Sequence, residues 1–122
     1  DLGSVRRPAA NDGDEGRCPM MQKENQVLRA CLDYLTMRGI ECWRNNTGAM
    51  TIPGTKRFVR FGKPGGPDIL GYLDDGRFLA VECKSAIGRL SPAQVAFLER
   101  AERCGCKVVV ARSIDDLQKA GL

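Results

Sequence analysis

Two short segments of the sequence carry residue types that suit metal-dependent cleavage of phosphodiesters. The first is Gly65-Gly66-Pro67-Asp68, and the second is Val81-Glu82-Cys83-Lys84. Two carboxylates can bind a hard divalent cation through oxygen. A lysine beside them can orient or activate the attacking water and offset the charge that grows on the phosphate. Asp68, Glu82 and Lys84 are therefore the first candidates for catalytic residues.

The turn between these segments decides whether the two carboxylates share one face of a sheet. Residues 69–73 and 77–80 are apolar enough to form the strands of a hairpin. A two-residue loop would place Asp68 and Glu82 on opposite faces, because side chains alternate along a strand. A three-residue loop, Asp74-Asp75-Gly76 with the glycine in the left-handed conformation, pairs them directly instead. We predict this three-residue loop, which also places Lys84 on the same face.

Composition indicates one domain with one core. The chain has 122 residues, of which 43% are hydrophobic, and no apolar run approaches the roughly 18 residues of a membrane span. Residues 1–18 contain almost no large apolar side chain and predict a disordered leader, so the domain is expected over residues 19–122. Because this leader also lacks the apolar core of a signal peptide, we expect a cytosolic protein with reduced thiols.

The residue types that are missing narrow the possible chemistry. The chain contains no His, which excludes Ser-His and Cys-His nucleophilic schemes. Its six cysteines form no C-x-x-C pair, so a zinc site is not expected. Neither a glycine-rich nucleotide loop nor a repeat is present, so we expect no small-molecule cofactor. Carboxylates and lysine remain as the candidate catalytic groups.

Basic residues are concentrated between positions 38 and 63, where Glu41 is the only acid in a chain of net charge +4. Such a concentration is typical of a surface that contacts the phosphate backbone, because neutralised phosphates release counterions. A solvated face is the alternative. The predicted DNA-binding residues are Arg44, Asn46, Lys56, Arg57, Arg60 and Lys63.

The segment from Thr47 to Thr55 is rich in Thr, Gly and Pro and predicts a mobile loop between two strands, residues 40–46 and 58–61. With the basic residues at its return, this loop could close over a nucleic-acid backbone. The neighbouring aromatic residues are predicted to lie in the core rather than to stack on bases. They are Trp43, Phe58 and Phe61.

Two predicted helices carry further candidates. The spacing of apolar residues predicts a helix over residues 22–37, in which Glu24 either points toward the sheet or is a first-turn acid favoured by the helix dipole. Ser91 and Pro92 predict the start of a second helix. Gln94 then either completes a capping box or reaches the metal-bound water or the scissile phosphate.

The C-terminal third predicts how the sheet is completed. Residues 107–111 are mainly β-branched and predict a buried strand, and a short helix is expected from Ser113 through Leu117. A strand, helix, strand order after the hairpin requires a crossover connection. We therefore predict an α/β fold with a mixed sheet flanked by helices.

The order of these motifs resembles the virus-type replication-repair nuclease domain, VRR-NUC, a branch of the PD-(D/E)xK superfamily. The resemblance covers residues 22–117 and rests on a helical Glu, residues 43–49, Pro67-Asp68, residues 82–84 and residues 88–94. It implies a restriction-endonuclease-like core, with a nuclease domain over residues 19–122. As metal ligands it implies Asp68, Glu82 and the carbonyl of Cys83. It implies Lys84 as the catalytic amine. Glu24 and Gln94 are implied as contributors from the helices, with Glu24 as a further metal ligand.

The resemblance also implies structure-specific DNA cleavage that depends on Mg²⁺ or Mn²⁺. Small stand-alone members, often of phage origin, resemble Holliday-junction resolvases that act as homodimers. We therefore expect a resolvase that cuts branched DNA as a homodimer, since a two-fold dimer suits a four-way junction. Two alternatives are a flap or nicking nuclease that acts as a monomer, and a non-catalytic DNA-binding subunit.

Overall fold

The computed structural model of the protein describes the backbone of residues 19–122 and the side chains of residues 24–122. The predicted leader, residues 1–18, lies outside the described residues. Within them the chain forms three helices and six strands. In chain order these are α1 (Pro19–Met37), β1 (Glu41–Arg44), β2 (Gly48–Thr51), β3 (Phe58–Phe61), β4 (Ile69–Tyr72), β5 (Phe78–Cys83), α2 (Pro92–Arg103), β6 (Lys107–Ala111) and α3 (Ile114–Lys119).

Four of the strands form a mixed sheet in the order β1-β4-β5-β6. The first three are antiparallel, whereas β5 and β6 run parallel and are joined by α2. Parallel neighbours need such a crossover, because a tight turn can only reverse the chain. The predicted α/β fold with a mixed sheet flanked by helices is confirmed.

The hairpin of β4 and β5 has the predicted register. Tyr72 pairs with Phe78 and Ile69 with Val81. The backbone N–H of Leu73 donates to the carbonyl of Arg77 at 2.9 Å, which encloses a three-residue loop. Gly76 ends this loop with φ of 92°, a conformation that favours glycine. The next pair in this register sets residue 68, just before β4, opposite residue 82.

The main core lies between one face of the four-stranded sheet and helices α1 and α3. Leu28, Leu35 and Leu117 from the helices pack with Ile69, Leu79 and Val81 from the strands. Two buried thiols, Cys31 and Cys83, belong to the same cluster. All five described cysteines are free, although Cys104 is exposed rather than buried. None of the described helices is long and apolar enough to cross a membrane.

The segment predicted as an irregular loop is partly a strand. Residues 48–51 form β2, which pairs with β3 in a separate two-stranded sheet. The aromatic residues predicted for the core are exposed instead, at 43% for Trp43, 61% for Phe58 and 43% for Phe61. The prediction was wrong because Phe58 and Phe61 lie on β3, which does not join the four-stranded sheet, and because Trp43 lies on β1, an edge strand of that sheet.

Candidate active site

Asp68 and Glu82 form the centre of the site. The Asp68 carboxylate accepts a hydrogen bond from the backbone N–H of Cys83 at 2.8 Å, which ties it to the strand that carries Glu82. Glu82 is only 2% exposed. One of its oxygens, Oε1, is buried and has no hydrogen-bond partner among the described residues. A buried acceptor of this kind is costly unless something binds to it.

The pKa of Glu82 reflects its burial and the charged groups beside it. Burial raises its pKa to about 8, with a further contribution from the neighbouring Asp68 carboxylate and an opposing one from Lys84. Burial disfavours the charged form of an acid, and a second carboxylate nearby disfavours it further. The pair is therefore poorly suited to carry two negative charges alone and well suited to share a cation.

Lys84 lies beside the carboxylate pair. Its ammonium nitrogen is 3.9 Å from Glu82 Oε2, and the residue is 9% exposed. That distance is longer than a hydrogen bond, so the ammonium keeps its donors for another partner. The backbone N–H of Lys84 donates to the carbonyl of Ala111 at 3.0 Å, which attaches this residue to β6.

Gln94 takes the capping-box role that the sequence left open and also contacts a carboxylate of the site, while its reach to a metal-bound water or to the scissile phosphate stays a prediction. Its side-chain oxygen accepts from the backbone N–H of Ser91 at 2.8 Å, and the Ser91 hydroxyl accepts from the backbone N–H of Gln94 at 3.1 Å. The capping box is therefore complete. The amide nitrogen of the same side chain donates to Glu82 Oε2 at 3.0 Å. Gln94 thus joins the start of α2 to the buried carboxylate.

Glu24 reaches the site from α1. It is the sixth residue of the helix, so the alternative of a first-turn acid is wrong. A Cβ atom placed on Gly88 would lie 2.9 Å from Glu24 Oε2 and 3.4 Å from Lys84 Cδ. The carboxylate therefore packs where a side chain at position 88 would be. Glu24 also contributes to the raised pKa of Glu82, as the smallest of the causes.

These residues fit a hard cation by their chemistry. Asp68 and Glu82 offer carboxylate oxygens, one of which is buried without a partner, and oxygen is the donor that Mg²⁺ prefers. As placed, no three of the described His, Cys, Asp and Glu side chains lie close enough together to hold a metal. Glu24 thus lies outside the immediate pair, and a third ligand requires its movement or a backbone carbonyl.

Sequence reasoning missed two polar residues that surround the site. The backbone N–H of Asn45 donates to the carbonyl of Asp68 at 2.8 Å, and its side-chain amide donates to the carbonyl of Pro67 at 2.9 Å. Ser85 has a buried hydroxyl without a partner among the described residues. The available signal was the position of Asn45 inside the motif 43–49 and of Ser85 directly after the motif 82–84.

The predicted DNA-binding residues lie apart from the carboxylates, most of them on the segment of residues 47–63, which we call the basic arm. Lys56 and Arg57 lie in and beside the turn between β2 and β3, Arg60 lies on β3, and Lys63 lies at the base of the arm. The Arg60 guanidinium is 5.8 Å from the centre of the Phe58 ring. Arg44 and Asn46 precede the arm and are exposed. Four of the six predicted DNA-binding residues thus lie on one exposed segment, apart from the carboxylates.

A sequence model of a protein family, described as the VRR-NUC domain, matches residues 22–115 of this chain. The matched range contains the carboxylate pair, Lys84, Glu24, Gln94 and the whole basic arm. Comparison with curated proteins finds no match.

Proposed function

The chain belongs to the VRR-NUC domain family and is a nuclease of the PD-(D/E)xK type, and on that premise we propose that it hydrolyses DNA phosphodiesters in a metal-dependent, structure-specific reaction. The observation that carries this proposal is the pairing of Asp68 with Glu82 beside Lys84, with Glu82 and Lys84 both buried. Two acids and an amine on neighbouring strands are the groups that phosphodiester hydrolysis needs.

The proposed cofactor is Mg²⁺ or Mn²⁺. Asp68 and Glu82 would hold the ion, and Glu24 and the carbonyl of Cys83 are the proposed further ligands. A bound divalent cation lowers the pKa of water and polarises a phosphoryl oxygen. The unpartnered Oε1 of Glu82 supports this assignment, because a cation would satisfy an acceptor that the described residues leave unmatched.

The side chains around the carboxylates have separate proposed roles. The Lys84 ammonium stabilises the negative charge that develops on the phosphate, since it carries donors that Glu82 does not occupy. Gln94 holds one oxygen of Glu82, so that the other points into the site. The backbone N–H of Cys83 holds Asp68 in the same way.

The proposed DNA-binding surface consists of the basic arm together with Arg44 and Asn46. Residues 42–67 contain no acid, so the arm presents positive charge that no acid within it compensates. Such charge contributes affinity that does not depend on sequence. This suits an enzyme that recognises the shape of its substrate rather than its bases.

We further propose that the substrate is branched DNA, specifically a Holliday junction cut during repair or recombination, and that the enzyme acts as a homodimer. Two exposed apolar surfaces support a second copy. Trp43, Tyr72 and Phe78 lie on one face of the sheet at 43%, 54% and 41% exposure, and Met50 and Phe61 share one face of the arm. Exposed apolar patches of this kind mark interaction sites.

A cytosolic location, in bacteria or in phage-infected cells, completes the proposal. Five free thiols among the described residues suit a reducing compartment. A monomeric flap or nicking nuclease is the alternative within enzymes. In that case the exposed aromatic residues would contact DNA rather than a second copy.

Cleavage of labelled four-way, flapped and plain duplex DNA tests the proposal when it is combined with a sizing measurement. We expect symmetric nicks in the four-way junction, from a species of twice the chain mass, with Mg²⁺ and not with EDTA. Flap cleavage by a monomer would favour the alternative enzyme, and binding without any cleavage would favour a DNA-binding subunit.

Lys84→Ala separates catalysis from binding in the same assay, and Lys119→Ala is its matched control. Lys119 is exposed and forms an ion pair with Asp115 on α3. We expect Lys84→Ala to abolish cleavage while DNA still binds, and Lys119→Ala to cut as the unsubstituted protein does. Equal activity of the two variants would contradict the role proposed for Lys84.

A further inference from the structure

Arg112 makes two side-chain contacts that the proposed mechanism does not use. It follows β6 directly, and one of its guanidinium nitrogens donates to the carbonyl of Gly88 at 2.7 Å and also to the carbonyl of Ser85. These residues lie 24 and 27 positions away in the chain. Hydrogen bonds from a charged donor are stronger than those between neutral groups. The contact therefore holds both ends of the segment 85–88.

The segment 85–88 is the continuation of the catalytic strand. It starts directly after Lys84, and it is closed by a hydrogen bond from the backbone N–H of Gly88 to the carbonyl of Ser85 at 3.2 Å. Lys84 itself is tied to the carbonyl of Ala111, the residue before Arg112. The end of β6 thus holds Lys84 through its backbone and the following turn through the Arg112 side chain.

The same turn sets the position of Glu24. Gly88 is buried, and the space that a Cβ atom would need there is bounded by Glu24 Oε2 at 2.9 Å, Ser85 Oγ at 3.1 Å and Lys84 Cδ at 3.4 Å. A shift of this turn would therefore move the surroundings of the Glu24 carboxylate and of the Lys84 stem together. The Ser85 hydroxyl, buried and unpartnered among the described residues, faces this same crowded space.

Arg112 has no evident competing role in the described part of the chain. Its side chain forms no ion pair there, and the carboxylate of Asp116 accepts from its backbone N–H rather than from its guanidinium. An exposed arginine that served only solubility would not need to donate hydrogen bonds to two backbone carbonyls. The side-chain hydrogen bonds of Arg112 are those to the turn 85–88.

We propose that Arg112 is a positioning residue, which holds the turn 85–88 so that Glu24 and Lys84 converge on the Asp68–Glu82 pair. The inference rests on the proposed nuclease function and extends it. Arg112 touches neither the substrate nor the metal ligands, and it acts through the backbone of Ser85 and Gly88.

The test compares Arg112→Met with Arg103→Met, a matched loss of one exposed arginine near the end of α2. We expect Arg112→Met to lower kcat about tenfold with little change in the KM for DNA, because the loss lies in the transition state. The Mg²⁺ concentration for half-maximal activity should rise several-fold. Calorimetric Mg²⁺ binding, which needs no turnover, should weaken to match. Arg103→Met should change none of these quantities.

A double-mutant cycle with Glu24→Gln identifies the route of the effect. If Arg112 acts through Glu24, its substitution should cost much less in the Glu24→Gln background than in the unsubstituted enzyme. Arg112→Lys keeps the charge and should restore part of the activity. If Arg112→Met does not fold, the same measurements are made on Arg112→Lys.

Two results would overturn the inference while the nuclease function stands. One is normal kcat and normal Mg²⁺ dependence in a folded Arg112 variant. The other is a loss that is fully additive with Glu24→Gln and leaves Mg²⁺ binding unchanged, which would indicate a merely structural role. An unsubstituted protein that cuts no DNA with Mg²⁺ would instead overturn the proposed function itself.

Discussion

The Asp68–Glu82 carboxylate pair and the basic arm are built in opposite ways. Glu82 is 2% exposed and Lys84 is 9% exposed, and hydrogen bonds from β5, β6 and α2 converge on the group. The arm is a separate two-stranded sheet whose aromatic residues Phe58 and Phe61 are 61% and 43% exposed. One region is held by hydrogen bonds within the protein, whereas the other exposes positive charge and aromatic side chains.

The contrast indicates a division of labour. Phosphodiester chemistry needs fixed dipoles and charges, because rearranging them during the reaction would cost free energy. Recognition of DNA tolerates a less anchored element, and a two-stranded hairpin alone is marginally stable in water. Substitutions in the carboxylate pair should therefore change kcat, and substitutions in the arm should change DNA affinity.

The largest effect is expected for Asp68→Asn. The change keeps the size of the side chain and removes one of the two carboxylates, so kcat should fall by at least about 100-fold. DNA affinity should stay within about twofold of the unsubstituted value, because the arm is untouched. Single-turnover cleavage and fluorescence anisotropy measure the two quantities. A variant that loses affinity and keeps kcat would break the comparison.

The arm should respond in the reverse manner to Lys56→Ala combined with Arg57→Ala. Each lost phosphate contact should reduce the slope of log affinity against log salt by about 0.9, and affinity should fall by about tenfold at moderate salt. At saturating DNA, kcat should be nearly unchanged. The measurement is a salt titration of DNA binding, and an unchanged salt slope would remove these residues from the interface.

Gly88→Ala tests how closely the site is packed. The new methyl group would lie 2.9 Å from Glu24 Oε2, so this flexible carboxylate must move away. We expect kcat to fall several-fold while the free energy of unfolding changes by less than about 1 kcal/mol, since the atom that yields is the end of a long side chain. Urea denaturation and a kinetic assay on the same sample check this. A large loss of stability with normal kcat would assign Gly88 to folding instead.

The last prediction leaves activity aside and concerns how the stability of the metal-free protein depends on pH. Burial, followed by the Asp68 carboxylate, raises the pKa of Glu82 to about 8, whereas an unfolded chain titrates this group near about 4.3. Between these values the folded state keeps a proton that the unfolded state releases, so the free energy of unfolding should decrease as pH rises and level off above about pH 8.

Glu82→Gln is the control for this titration, because a neutral amide cannot release the proton. Urea denaturation in EDTA should show a flatter pH dependence for this variant than for the unsubstituted protein, and substitutions in the arm should leave the slope unchanged. Equal slopes for the unsubstituted protein and Glu82→Gln would contradict the electrostatic account of the carboxylate pair.

Features set by neighbouring residues were predictable from the sequence. Gly76 determined the three-residue loop, because only glycine readily adopts its conformation, and the strand alternation then paired residue 68 with residue 82. Ser91 and Pro92 marked the start of α2 within one residue, and residues 107–111 were identified as β6. The resemblance to the VRR-NUC domain, carried by the order of these motifs, is confirmed as well. The catalytic roles of the individual residues stay predictions.

Only the tertiary structure decided which elements meet. It separated β2 and β3 from the main sheet, left Trp43 exposed, gave Gln94 two partners and brought Asn45, Gly88 and Arg112 around the site. The physical reason is distance along the chain. Turns and caps depend on a few adjacent residues, whereas the hydrogen bonds of Gln94 to Glu82, of Asn45 to Pro67 and of Arg112 to the turn 85–88 join residues 12 to 27 positions apart. Their formation depends on the packing of the whole sheet, which no local pattern encodes.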